Sequence, residues 1–244
     1  MRWLLSILAL CLCASVANSQ VLQGQSEIER ILAVGDSMTV PIGPSPFAHY
    51  GGHIASERTR LLAKRPGEFV GVSYVGLNGC SWTNGYGGGT GTVFMAAMTN
   101  LVTNRPSRIP CKAVIFAGSN GMALSNAPAA AEFTGLTNTI NYLLTNQTAP
   151  WVASNILVIA CLPRQGSNDL PTFETNRQFY NNLIITNAAA WGYRYYDVRS
   201  NTLIGAWTAQ SNLTGLTNAF NADRIHPDTG GHQQLGISAA TSLP

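Results

Sequence analysis

The sequence predicts an α/β fold built on a parallel sheet with helices on both faces. Two observations carry this reading. Short apolar runs alternate with longer helical patterns at a spacing that suits strand–helix–strand units. The apolar runs also close in turns rich in glycine or proline, as buried strands that feed tight loops do. At 244 residues the chain is ample for one such domain and short for two.

Taken in order, residues 31–34 form a first buried strand that feeds the turn Gly35-Asp36-Ser37. A loop at 41–46 leads to a helix over 47–64, with Ile54, Leu61 and Leu62 inward. Residues 69–75 form a second strand, ended by the segment 76–79. A flexible Gly-rich loop at 84–91 precedes a helix over 93–101. Residues 113–117 form a third strand, ending in Gly118-Ser119-Asn120-Gly121, and a helix over 129–144 follows. A fourth strand at 156–160 is stopped by Leu162-Pro163. A long helix at 173–191, a fifth strand at 193–198 and a closing helix at 230–242 complete the pattern. In such sheets ligands bind beyond the carboxyl ends of the strands. Ser37, Gly79, Asn120 and Arg164 all follow such ends.

Composition narrows the function classes. Only 10% of residues are charged, so neutral polar side chains must cover the surface. The net charge is +3 with no Lys/Arg cluster to neutralise a row of phosphates, which argues against a nucleic-acid partner. Met1-Arg2, the apolar run 3–13 and the small residues Ala17 and Ser19 read as a secretory signal. The expected organisation is a signal peptide at 1–19 and one domain at 20–244, secreted or periplasmic. The apolar run is too short for a membrane span. Asn146-Gln147-Thr148 and Asn212-Leu213-Thr214 fit the N-glycosylation pattern. Cys80, Cys111 and Cys161 remain after the signal, without zinc-ligand spacing. Cys80 follows one strand and Cys111 precedes another, so these two lie at opposite ends of the sheet and cannot be bridged.

Four segments carry chemistry. A serine hydroxyl is a weak nucleophile until a base takes its proton, and Ser37 sits in a strand-end turn where a base can approach. In Asp223-Arg224-Ile225-His226-Pro227 the carboxylate and imidazole are three residues apart. That spacing lets the Asp hold one ring nitrogen and leave the other facing a serine. An acyl-transfer intermediate also needs donors for its oxyanion. Asn120 offers a side-chain amide, and Gly79 offers a backbone N–H with no side chain in the way. Each segment alone fits ordinary turn or cap chemistry better.

Taken together, the order Gly-Asp-Ser, Gly, Gly-x-Asn and Asp-x-x-His resembles the SGNH, or GDSL-type, hydrolase family across almost the whole mature chain. The resemblance implies a three-layer, flavodoxin-like fold with a five-stranded parallel sheet in the order 2-1-3-4-5, no metal and no other cofactor. It implies Ser37 as nucleophile, Asp223 and His226 as the rest of a triad, and an oxyanion hole from Ser37, Gly79 and Asn120. With that strand order Cys80 and Cys161 are also too far apart to bridge. Two departures stand out. The usual Gly-x-Asn-Asp reads Gly118-Ser119-Asn120-Gly121, without the acid that supports the loop. The block around Gly79 is a loose match, and Gly76 is a rival donor.

The leading expectation is a secreted esterase that cleaves small carboxylic esters through an acyl-enzyme, with O-acetyl groups on carbohydrate as the preferred substrate class. A lipase or lysophospholipase, or an acyltransferase, would use the same site. A non-catalytic carbohydrate-binding protein is the alternative of a different class, but a binding role needs no triad. Trp82 and Tyr86 are candidates for an aromatic wall against the substrate, and Arg164 for a polar contact to it. His49, His53 and His232 read as surface or supporting residues.

Overall fold

The computed structural model describes residues 27–39, 69–76, 79–83, 111–145, 151–205, 220 and 224–243. Five strands form one sheet: β1 Glu27–Gly35, β2 Phe69–Gly76, β3 Cys111–Phe116, β4 Ile156–Ile159 and β5 Arg194–Tyr196. Their order is β2-β1-β3-β4-β5, and each neighbouring pair is parallel. This is the expected doubly wound α/β arrangement. The helices among the described residues are α1 Ser119–Leu124, α2 Ala129–Thr145, α3 Phe173–Trp191 and α4 Thr229–Ser242. None of them is long and apolar enough to cross a membrane.

The period-two alternation of strand side chains divides the core into two layers. On one face Leu32, Val34, Ala113, Ile115, Ile156 and Val158 pack with Leu136, Ile140 and Leu143 of α2 and Tyr180, Ile184 and Ala188 of α3. On the other face Ile31, Val114, Phe116, Leu157 and Ile159 pack with Leu235 and Ala239 of α4. Burying each of the larger apolar side chains stabilises the fold by about 1.5–3 kcal/mol.

β1 lies between β2 and β3, so the chain leaves it in one direction and returns on the other side. The carboxyl ends of β1 and β3 therefore flank the topological switch point, where a crevice forms. In register, Gly35 of β1 faces Gly76 of β2 and Phe116 of β3. The turn after β1 and the start of α1 consequently emerge side by side.

Several bounds differ from expectation. β1 begins four residues before its apolar run, because pairing with β2 extends the strand beyond the buried part. β5 ends at Tyr196, and Val198–Ser200 instead forms a 3-10 turn capped by the Asp197 side chain. Gly118-Ser119-Asn120-Gly121 reads as a simple turn, but only Gly118 turns, at φ 118°, and Ser119 opens a short buried helix. The expected signal at 1–19, the helices at 47–64 and 93–101, the loops at 41–46 and 84–91, and the glycosylation patterns lie outside the described residues. Cys80 and Cys161 are buried free thiols. Burial pushes the Cys161 thiol up to about 12.

Candidate active site

Ser37 leaves β1 in a turn closed by the Thr39 N–H, which donates to the Asp36 carbonyl at 3.0 Å. Gly35 permits the close approach: a Cβ there would lie 2.3 Å from the Phe116 carbonyl oxygen. The Asp36 carboxylate turns inward and is fully buried. It accepts from the Met38 N–H at 3.0 Å and from the Ser119 hydroxyl at 3.3 Å, so it ties the serine turn to α1. Burial pushes its pKa up to about 6, against the Met38 hydrogen bond and the charges of His226 and Arg164, which pull it down.

The Ser37 hydroxyl lies 2.8 Å from His226 Nε2, across 189 residues of sequence. His226 stands on the loop that enters α4. Asp228 caps that helix by accepting from the Gly231 N–H at 2.7 Å. Pro227 forms an isolated antiparallel bridge with Phe220. Arg224 takes a left-handed φ of 56° and its carbonyl accepts from the Gln165 N–H at 2.9 Å. Asp223 lies outside the described residues.

Asn120 projects from the first turn of α1. Its Nδ2 donates to the Cys80 carbonyl at 3.1 Å, and its Oδ1 accepts from Arg164 Nη1 at 2.7 Å. A guanidinium on one side of the amide fixes which end is oxygen and which is nitrogen. One Nδ2 hydrogen bonds Cys80; the second is left for another acceptor. The bond to Cys80 also brings Asn120 to the residue next to Gly79, which turns the chain after β2 with φ 71°. Gly76, the rival donor, is the last residue of β2 and faces Gly35.

Three expectations for substrate contact meet the structure differently. Arg164 is 3% exposed, and its guanidinium is occupied by Asn120 and by a two-pronged ion pair with Asp169 at 2.7 and 3.0 Å. It braces Asn120 and does not present itself to a ligand. Trp82 is 5% exposed, and its indole N–H donates to the Tyr180 hydroxyl at 3.2 Å. It belongs to the core and forms no wall. Tyr86 lies outside the described residues, as do His49 and His53. Of the two readings of His232, surface or supporting, its burial on α4 excludes the first.

The structure adds two acids that the motifs do not contain. Asp169 holds Arg164 and also accepts from the Gly166 N–H at 2.7 Å. Glu132 of α2 is fully buried and accepts from the Trp82 N–H at 2.9 Å. A signal for Glu132 exists in the sequence: it lies four residues before Leu136 and eight before Ile140, on the buried stripe of an amphipathic helix. Nothing comparable marks Asp169. Among the described residues no group of His, Cys, Asp and Glu could hold a metal ion.

The sequence matches no protein-family profile and no curated protein. Its fold does match solved structures. A lipase/acylhydrolase from Enterococcus faecalis is 18% identical, with 87% of this chain and 94% of that one covered and a TM-score of 0.61. A member of the lipolytic protein G-D-S-L family from Veillonella parvula is 15% identical, with 87% and 96% covered and a TM-score of 0.59. A carbohydrate acetylesterase from Sinorhizobium meliloti is 15% identical, with 87% and 97% covered and a TM-score of 0.61. The chain therefore has the SGNH-hydrolase fold.

Proposed function

We propose that this protein is an exported serine esterase that hydrolyses small carboxylic esters, with O-acetyl groups on carbohydrate as its substrate class. The observation that carries the reading is the 2.8 Å approach of the Ser37 hydroxyl to His226 Nε2 at the switch point of the sheet. Two groups distant in sequence meet where α/β sheets bind ligands. The carbohydrate acetylesterase among the similar folds supports the substrate class.

In the proposed reaction Ser37 Oγ attacks the ester carbonyl while its proton passes to His226 Nε2. The carbonyl oxygen becomes an oxyanion held by the second Nδ2 hydrogen of Asn120 and the backbone N–H groups of Gly79 and Ser37. Collapse breaks the C–O bond to the alcohol, which leaves with the proton from His226. Water then attacks the acyl-serine and gives a proton to His226. The second collapse frees the acid and returns that proton to Ser37. Asp223 orients His226 throughout. The expected substrates are small esters, and no nucleic acid or further cofactor has a part in the reaction.

The test is Ser37→Ala, assayed on nitrophenyl acetate and on acetylated glycans. Turnover should fall by on the order of 10⁴-fold or more with the fold intact. A folded variant with near-normal hydrolysis would overturn the assignment. Wild-type preference for acetylated glycans over long-chain esters would fix the substrate class, and the reverse preference would refute it.

A further inference from the structure

The acid missing at position 121 leaves a question about the loop Gly79–Thr83. This loop carries one donor of the proposed oxyanion hole, the Gly79 N–H, and also the Cys80 carbonyl that anchors another, Asn120. Some group must hold it against α1. The space beside Gly121 is not empty. A Cβ at 121 would come within 1.9 Å of Glu132 Oε1 and 3.0 Å of Ser81 Cβ. Glu132 enters this space from α2, a different element. Its two oxygens accept from the Trp82 N–H and from the Thr83 hydroxyl, and the Thr83 N–H also bonds it.

A fully buried carboxylate is costly unless its lone pairs are used. Those of Glu132 serve backbone and side-chain donors of a single short loop. Gly135, one helical turn further along α2, lets the same loop close down: a Cβ there would meet Trp82 Cβ at 2.4 Å. Burial raises the Glu132 pKa and the loop's hydrogen bonds lower it, so the carboxylate and the loop conformation depend on each other.

We propose that Glu132 is a positioning residue that locks the Gly79–Thr83 loop beside Asn120, supplying from α2 the support that an acid at position 121 would supply from α1. Gly121 is the other half of the device, because only a residue without a side chain leaves room for the carboxylate. The inference rests on the oxyanion roles proposed for Gly79 and Asn120. Glu132 touches no substrate and acts through the loop alone.

The experiment compares Glu132→Ala, Glu132→Gln and the double variant Gly121→Asp/Glu132→Ala with the wild type. Steady-state hydrolysis of nitrophenyl acetate is measured alongside amide hydrogen exchange at Trp82 and Thr83. Glu132→Ala should lower kcat on the order of a hundredfold with KM little changed, since donor placement matters chiefly in the transition state. Glu132→Gln keeps one acceptor oxygen and should lose less. Exchange at Trp82 and Thr83 should quicken in Glu132→Ala ahead of other buried amides. In the double variant both kcat and protection should recover, because the new carboxylate fills the vacated space. Folded Glu132 variants with wild-type kcat and wild-type protection overturn the proposal, as does a loss confined to KM. Should Glu132→Ala not fold, Glu132→Gln carries the same two readouts. A folded Ser37→Ala variant that keeps its activity would instead sink the esterase reading, while the exchange data would still decide what holds the loop.

Discussion

On the Asn120 side of the site, buried carboxylates hold the backbone. Asp36 grips the serine turn and α1, Glu132 grips the loop after β2, and Asp169 holds the arginine that grips Asn120. On the His226 side the described contacts are of another kind. A hydrogen bond joins Gln165 to the Arg224 carbonyl, a bridge joins Pro227 to Phe220, Asp228 caps α4, and Gln165, Ile225, His226 and Pro227 have further partners. The difference follows from what each side would do. An oxyanion donor must already be in place when charge develops, and stiffness there is worth the cost of burying acids. In the proposed reaction the imidazole accepts and then returns a proton, a role that tolerates small shifts of the loop that carries it. The contrast predicts that mutations on the first side change stability strongly and that those on the second change it little.

The sharpest way to break this contrast is at Asp169, because the segment it organises touches both sides. Arg164 reaches Asn120, the Gln165 N–H reaches Arg224, and Gly166 packs against Ile225. Asp169→Ala leaves a buried guanidinium without its carboxylate and should destabilise the fold by about 3–5 kcal/mol. Chemical denaturation reads the loss directly, and one well below about 1 kcal/mol would show that the pair is not the brace. The double variant Arg164→Met/Asp169→Leu separates stability from placement. It should regain much of the stability, yet its turnover should stay low because Asn120 has lost its anchor.

A smaller effect is expected at Asp36. Its folded pKa is raised from 3.8 to about 6, chiefly by burial. The folded state thus favours the protonated acid. The group's contribution to stability is greatest below about pH 4 and is lost as pH rises through about 6. The loss approaches about 3 kcal/mol at neutral pH. Asp36→Asn removes this titration. The stability of the variant relative to wild type should therefore climb by about that amount between pH 4 and pH 7. A relative stability flat across the window would mean that Asp36 is not held against its charge. A more stable but slower enzyme at neutral pH is the expected trade.

The same division governs what was legible in the sequence. β1 to β4 could be read because each contains an apolar run, and β5 from its place in the alternation of strands and helices; Ser37, Asn120 and His226 stand out as candidates because each sits at a strand or helix end in a recognisable order. Their supports do not. Arg164 follows a strand end just as Ser37 does, and Trp82 is an aromatic beside the Gly-rich loop, so placement and residue type alone point to contact with substrate. Their burial depends on Tyr180 and Asp169, which are remote or unremarkable in sequence. Glu132 is the intermediate case. Its helical position marks it as inward, but only the packing of α2 against Gly121 shows what it faces. The short helix α1 was missed because Gly118-Ser119-Asn120-Gly121 has turn composition, while its helical winding is imposed by burial beneath α2 and α3.

The mildest expectation lies on the histidine side, where Asp228 serves as N-cap of α4. Its side chain accepts from Gly231 N–H, and its carbonyl accepts from His232 N–H. Asp228→Ala removes only the side-chain bond and leaves the helical carbonyl in place. The cost should be about 1 kcal/mol, typical of a lost cap. α4 packs on the sheet through Leu235 and Ala239, which the substitution does not touch. The loop leading to His226 keeps its bond to Gln165 and its bridge to Phe220. Turnover on nitrophenyl acetate should therefore stay within about twofold of wild type, a change of under 0.5 kcal/mol in the barrier. Denaturation and kinetics on the same variant test both halves. A loss of stability as large as that of Asp169→Ala, or a hundredfold fall in turnover, would mean that the His226 side is as tightly constrained as the Asn120 side. The contrast between the two would then fail, and the cap would have to be counted among the residues that place the imidazole.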